Sequence, residues 1–325
     1  MSQNNRQFGR IGVLMGGYSS EREISLKSGK AVFEALKQEG CEVILLDILT
    51  SEEKEISSLI ARAEIDAAFI ALHGRLGEDG TIQSILENLH IPYIGSGIQA
   101  SRLAINKVLA QSLFKENGLA VAEHVVLSKE EGLATGKILN RLKSFPIVVK
   151  PSSEGSSIGI RIVERKEDLE AALKEALSFG DKVLVEEYID GREFTVGILE
   201  DQPLCAIEIR PTRTFFDFTA KYQKGMTEYV IPAKILEKEA LLLQTAALRA
   251  HQILGCRDFS RVDIMLGKDN IAYVLEVNTI PGFTSMSLLP KAVEVKGLKF
   301  NQLCLKLIEL AYAKKEKNQN TLIHR

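Results

Sequence analysis

The order of apolar and polar residues along the first hundred positions alternates between two periods. Short apolar runs at Ile11–Met15, Val43–Ile48, Ala67–Leu72 and Pro92–Ile94 read as strands, and the segments between them repeat every three to four residues. In the first such segment Ile24, Ser28, Ala31, Val32, Ala35 and Leu36 share a face, and Ser20 with Glu23 predicts a capping box at its start. Strand and helix in alternation imply a parallel sheet covered on both faces.

Beyond Gly95-Ser96-Gly97 the pattern changes. One helix is predicted over about Gln99–Asn117, then an antiparallel sheet from Phe145–Lys150, Gly159–Glu164, Val183–Tyr188 and Glu193–Leu199, with a helix at Asp168–Leu177. Further on, Leu204–Arg210, Val262–Leu266 and Ile271–Asn278 read as strands, Lys238–Leu254 and Asn301–Lys314 as helices, and the polar tail from Lys315 as frayed. The chain therefore divides into three units: an α/β unit over 1–103 and two α+β units over 104–190 and 191–325. No repeat or low-complexity tract interrupts them.

Composition narrows the class. The chain has 325 residues, 45% of them hydrophobic, enough for a substantial core. With 41 Lys plus Arg against 43 Asp plus Glu, it carries no basic face for nucleic acid or an anionic membrane. No stretch approaches the roughly 18 apolar residues of a spanning helix. Cys41, Cys205, Cys256 and Cys304 have no paired spacing, which fits reduced thiols and a cytoplasmic setting.

Three segments carry candidate chemistry. Lys150-Pro-Ser-Ser-Glu-Gly-Ser-Ser-Ile-Gly159 follows a β-branched strand: small residues let backbone N–H groups approach phosphate oxygens, and Lys150 balances their charge. A surface Gly/Ser hairpin has the same composition, so this segment alone decides little. There is no G-x-x-x-x-G-K-[ST], and Met15-Gly16-Gly17-Tyr18 does not fit G-x-G-x-x-G. Second, Arg261-Val-Asp263 and Glu276-Val-Asn278 each put two polar side chains on one sheet face at i, i+2 spacing. Three hard oxygen ligands beside a cation suit Mg²⁺. Either pair alone reads equally as solvent-facing alternation, but together, followed by Thr279-Ile-Pro-Gly-Phe-Thr-Ser-Met-Ser287, they point to a site. Third, Glu21 lies at the start of the first helix and His73 at the carboxyl end of a strand, where ligands of parallel sheets bind.

Six collinear segments resemble the D-alanine–D-alanine ligase family of ATP-grasp enzymes: Gly16-Gly-Tyr-Ser-Ser-Glu-Arg-Glu-Ile-Ser25, Ala71-Leu-His-Gly74, Lys150 to Ser157, Ala220-Lys-Tyr222, Arg261-Val-Asp263 and Glu276-Val-Asn-Thr-Ile-Pro-Gly282. The resemblance runs from about Ile11 to Tyr312. It implies an ATP-grasp fold, with ATP held between the central and C-terminal sheets, and peptidoglycan-precursor synthesis in the cytoplasm by a homodimer.

Residue by residue, it implies phosphate contacts from Lys107 and Lys150, adenine and ribose contacts from Glu186 and Glu193, and further nucleotide contacts from Ser157, Ile189 and Lys221. Two Mg²⁺, or Mn²⁺, would sit on Asp263, Glu276 and Asn278. Glu21 would take the ammonium of the first D-alanine, with His73 nearby, and Ser287 with Leu288 would lie by the second. Ser156 and Tyr222 would close over the site, while Arg261 and the Gly282 N–H would stabilise an oxyanion. Ser260, Glu187 and Met286 depart from the commonest family pattern, and Glu187 puts one adenine contact in doubt. A D-alanine–D-lactate ligase, another ATP-grasp carboxylate–amine ligase and an inactive ATP-binding module are the alternatives; a nicotinamide-dependent oxidoreductase rests on fold class alone.

Overall fold

The computed structural model describes residues 8–153, 155, 158–211 and 227–323, with side chains to 314. Three strands form a parallel sheet in the order β2-β1-β3: β1 (Arg10–Gly16), β2 (Glu42–Ile48) and β3 (Ala67–Ile70). Pro92–Ile94, expected as a strand, pairs among the described residues only through a bridge from Tyr93 to Ala68. Pro92 has no N–H to extend the ladder, and Gly95 turns the chain away with φ +85°.

Helix α1 (Arg22–Gln38) packs on β1 through Ser25, Ser28, Gly29, Val32, Ala35 and Leu36. This face is rotated from the expected one, leaving Ile24 and Ala31 at its margin. Two contacts explain the rotation. The Ser25 hydroxyl donates to the Ala71 carbonyl (2.7 Å) and accepts from the Gly16 N–H (2.8 Å). Gly29 meets Met15 so closely that a Cβ there would lie 2.5 Å from the Met15 Cβ. The Ser20–Glu23 capping box does not form: the helix begins after Glu21, without a side-chain cap. Instead the Ser19 hydroxyl accepts from the Glu21 N–H (3.2 Å) and donates to the His73 carbonyl (2.8 Å). Helices α2 (Glu53–Arg62) and α3 (Thr81–Asn88) cover the other face of the sheet.

The single helix expected over Gln99–Asn117 is two, α4 (Ile98–Ile105) and α5 (Lys107–Glu116), broken at Asn106. Asn106 is extended, and its side chain caps α5 by accepting from the Leu109 N–H (3.2 Å). The break ties α5 to the loop after Lys150, because the Lys107 N–H donates to the Ser152 carbonyl (2.9 Å).

The next sheet has the order β4-β7-β5-β6, from β4 (His124–Ser128), β5 (Ile147–Pro151), β6 (Arg161–Val163) and β7 (Lys182–Glu187). Helices α6 (Thr135–Arg141) and α7 (Leu169–Leu177) cover it. The strand at Glu193–Leu199, expected in this sheet, belongs instead to a five-stranded antiparallel one. That sheet runs β10-β9-β8-β11-β12, from β8 (Gly191–Leu199), β9 (Gln202–Pro211), β10 (Thr227–Val230), β11 (Phe259–Gly267) and β12 (Ala272–Asn278). The chain crosses between the sheets at Tyr188–Asp190, and β8 then pairs along its length with β11.

Helix α8 (Glu237–Ile253) joins α4 and α5 in a core behind the five-stranded sheet. Helices α9 (Leu288–Val295) and α10 (Phe300–Ile323) share a second core with α1 and β1. Its centre is Phe283, whose ring lies 5.3 Å from Phe69 of the parallel sheet and 5.7 Å from Phe259 of β11. The tail from Lys315 continues the last helix to Ile323 rather than fraying at once. Among the described residues no helix is long and apolar enough to cross a membrane.

Candidate active site

Two cavities meet on one face of the five-stranded sheet. The larger, about 380 Å³, lies between that sheet and the β4–β7 sheet and is lined by Lys107, Lys150, Glu186, Ile189 and Glu193 among others. The smaller, about 300 Å³, runs toward the carboxyl edge of the parallel sheet and is lined by Glu21, His73, Arg261, Gly282, Ser287 and Leu288 among others. Asp263, Glu276 and Ile209 belong to both.

Strand register puts the shared group on one face. Arg261 opposes Asn278 and Asp263 opposes Glu276 across β11 and β12, while Asp263 opposes Thr195 on β8. The register shifts just beyond these pairs. Ile264 pairs with Val274, so Leu275 is an inserted residue, and at such a bulge two successive side chains can face the same side. Both Leu275 and Glu276 line the larger cavity.

The charges on this face are closely compensated. The buried Asp263 carboxylate accepts from Arg261 Nε (3.0 Å) and Nη2 (2.9 Å), Thr195 Oγ1 (2.6 Å) and Asn278 Nδ2 (3.2 Å). Lys107 Nζ lies 3.1 Å from Glu276 Oε2. Lys150 pairs with Glu186. Both lysines expected at phosphates are thus at the larger cavity, each against a carboxylate. Among the described residues no three His, Cys, Asp or Glu side chains cluster for a metal; the predicted ligands are two carboxylates and an amide.

On the smaller cavity, Glu21 is buried where the chain makes room for it. A Cβ on Gly155 would lie 2.8 Å from Glu21 Oε2, and one on Gly74 would lie 2.7 Å from it. His73 is committed on both ring nitrogens. The Ile280 carbonyl can only accept, so Nδ1–H donates to it (2.9 Å) and Nε2 accepts from the Ser28 hydroxyl (2.9 Å). Ser28 Oγ in turn accepts from the Phe283 N–H (3.1 Å). His73 therefore ties the parallel sheet to the segment 279–287. The Ser287 hydroxyl is held by the Thr284 N–H and Oγ1, both at 3.0 Å. It does not cap α9, whose first turn carries Leu288 to the cavity. Tyr229 also lines this cavity, and burial raises its phenol pKa. Ser156, Ser157, Lys221 and Tyr222 lie outside the described residues.

The three departures have separate surroundings. Ser260 is buried and bonded to His251 Nδ1 (2.7 Å). Glu187 accepts from the Glu123 N–H (3.1 Å) at the base of the larger cavity. Met286 is exposed at the mouth of the smaller one. Thr195, Glu78 and Tyr229 were not foreseen. Thr195 could have been, since it stands two residues after Glu193 on the same face. Glu78 depends on a loop return that brings its Oε1 to the Gly74 N–H (3.1 Å). At the far end of the larger cavity, burial raises the Glu208 pKa, but hydrogen bonds from Arg192 and Arg210 outweigh it and hold the carboxyl low.

A deep cavity between two antiparallel sheets, with lysines on one wall and paired acids on the other, defines a nucleotide-dependent enzyme of the ATP-grasp class. The chain matches the families described as "D-ala D-ala ligase N-terminus", over residues 10–55 and 49–96, and "D-ala D-ala ligase C-terminus", over residues 113–309. It is 45% identical over 305 residues to the D-alanine–D-alanine ligase of Geotalea uraniireducens (strain Rf4), covering 94% of this chain and 96% of that one. The crystal structure of D-alanine–D-alanine ligase from Bacillus anthracis complexed with ATP superposes with a TM-score of 0.83 at 33% identity, over 95% of this chain and 99% of that one. The VanG D-Ala:D-Ser ligase from Enterococcus faecalis gives 0.81 at 32% identity, over 94% and 100%. This chain belongs to the D-alanine–D-alanine ligase family.

Proposed function

We propose that the chain joins two D-alanines into D-alanyl-D-alanine at the expense of ATP, for peptidoglycan-precursor synthesis. The observation that carries this reading is the sharing of Asp263 and Glu276 between two cavities, one flanked by lysines and one by Glu21 and Arg261. Such a junction lets a phosphoryl group pass from a nucleotide in the larger cavity to a carboxylate in the smaller. A carboxylate resists amines because its leaving group would be oxide; as an acylphosphate it has a good one.

In this reading Glu21 receives the ammonium of the first D-alanine, with His73 holding its wall in place. Lys107 and Lys150 exchange their carboxylate partners for phosphate oxygens, the positioning and charge compensation that dominate phosphoryl transfer. Glu186 and Ile189 meet the adenine, and Glu193 the ribose. The hard oxygen donors Asp263, Glu276 and Asn278 fit two Mg²⁺ or Mn²⁺, provided Asn278 and Arg261 yield some of their hold on Asp263. When bound, the metal neutralises charge on the transferring group.

The second D-alanine places its carboxylate toward Ser287, Leu288 and the uncapped start of α9. Its free amine attacks the acylphosphate carbonyl, Arg261 with the Gly282 N–H receives the oxyanion of the tetrahedral intermediate, and phosphate leaves as that intermediate collapses to the amide. By resemblance, Ser156 and Tyr222 are assigned to the cover that keeps water from the acylphosphate, and Ser157 and Lys221 to nucleotide contacts. The division at 103 and 190, a homodimer and a cytoplasmic setting complete the reading.

The test is phosphate release from ATP and Mg²⁺ with each amino acid in turn. D-Alanine should support it with dipeptide as product, and L-alanine should be poor, because inversion moves its methyl group or ammonium off its pocket. Folded protein that binds ATP and releases no phosphate with D-alanine overturns the reading. Competition with D-lactate near pH 6.5, where an unperturbed His is half charged, should still give the amide, since the chain has Tyr222 where ester-forming members tend to carry His.

A further inference from the structure

Gln111 is 1% exposed and lies on α5, behind the site rather than in it. Its side-chain amide donates to two successive carbonyls of β12, those of Val274 (3.1 Å) and Leu275 (2.8 Å). These carbonyls belong to the bulge. If the Ile264–Val274 register continued without the bulge, Leu275 would oppose Asp263, and Glu276 would oppose Val262 and face the core. Among the described residues β12 is also the last strand of its sheet, so its outer carbonyls gain no strand partner there. Gln111 supplies the donors there, and the Val274 N–H donates to the Ala120 carbonyl (3.0 Å). One helical turn before Gln111, on the same face of α5, Lys107 meets Glu276 itself.

We propose that Gln111 is a positioning residue for Glu276: by pinning the bulge it aims this carboxylate into the nucleotide cavity. The proposal rests on the assignment of Glu276 to the metal and adds a residue that touches neither metal nor substrate. A merely structural Gln111 would affect stability alone. A positioning residue also sets the affinity for the cation, as groups that orient a metal's ligands do.

The experiment measures Mn²⁺ binding to the full chain by electron paramagnetic resonance, with a non-hydrolysable ATP analogue present. Gln111→Met should weaken Mn²⁺ binding roughly 10- to 100-fold. Gln111→Asn, which keeps the amide one methylene short, should lie between it and wild type. The control is Gln83→Met: Gln83 is equally buried, and its amide donates to the Gly77 carbonyl (2.6 Å) away from the Glu276 bulge. It should lower the melting temperature without changing Mn²⁺ affinity. Unchanged affinity in whichever Gln111 variant folds, or an equal loss in Gln83→Met, overturns the proposal. Failure of the ligase reading shows separately, as a wild-type chain that releases no phosphate with D-alanine yet still binds Mn²⁺ in a Gln111-dependent way. A wild-type chain that binds no Mn²⁺ overturns both.

Discussion

Lys107→Met should make the protein bind a metal better and a nucleotide worse. In the described state Lys107 Nζ lies 3.1 Å from Glu276 Oε2, with both side chains largely buried. At that separation two unit charges attract by roughly 1 kcal/mol in water and about 5 kcal/mol at an effective dielectric of 20. Glu276 keeps some exposure, so a screened value near 2 kcal/mol is the working figure. A cation entering the nucleotide-free site must overcome that attraction, so its loss should tighten Mn²⁺ binding roughly 30-fold. Calorimetry and electron paramagnetic resonance on nucleotide-free protein would measure this directly. ATP affinity should move the opposite way, because Lys107 is then missing from the phosphates. Mn²⁺ binding to nucleotide-free Lys107→Met no tighter than to wild type would refute the idea that this pair stands in for metal and phosphate.

Gly155→Ala should push a methyl group against Glu21 Oε2, an overpacking cost of roughly 1–3 kcal/mol. Initial rates should show about a tenfold or larger rise in KM for D-alanine, with a smaller change for ATP; equal changes in both would discount the contact. Burial lowers the pKa of His251, against the opposing pull of Asp201 and Asp258. Its neutral form is therefore favoured by folding, and this stability is fully present above the unfolded value of about 6.5 and lost as pH falls toward the folded one. Melting curves between about pH 7 and pH 5 should lose this dependence in His251→Asn; an unchanged slope would assign it to other groups.

The elements that were legible in the sequence are those whose side chains report their own surroundings. The run at Ile11–Met15 is apolar because helices cover its sheet, Val262, Ile264 and Leu266 are apolar because helices cover their face, and Arg261, Asp263 and Asn278 alternate with them because the other face is polar. What escaped depended on partners far along the chain. At the break Asn106 caps α5 and the Lys107 N–H goes to the distant Ser152 carbonyl, and β8 joins the second antiparallel sheet by pairing along its length with β11. Glu276 was placed on the right face, but the spacing of Glu276 and Asn278 gives no sign of the bulge before them. The side chain that donates to it is Gln111, on a helix that was expected to continue unbroken. His73 was a fair candidate by position, yet its hydrogen bonds to Ser28 and Ile280 make it a support rather than an open reactive group.

The junction of the two cavities at Asp263, Glu276 and Ile209 has a consequence for inhibition. A single compound could place an anionic group in one cavity and an amino-acid group in the other, joined across Ile209 by a tether of a few atoms. Once one end docks, the other is presented at an effective concentration in the millimolar range for a short flexible link, so two weak fragments could gain roughly 10²–10⁴ in avidity. The gain would vanish for a tether too short to pass Ile209.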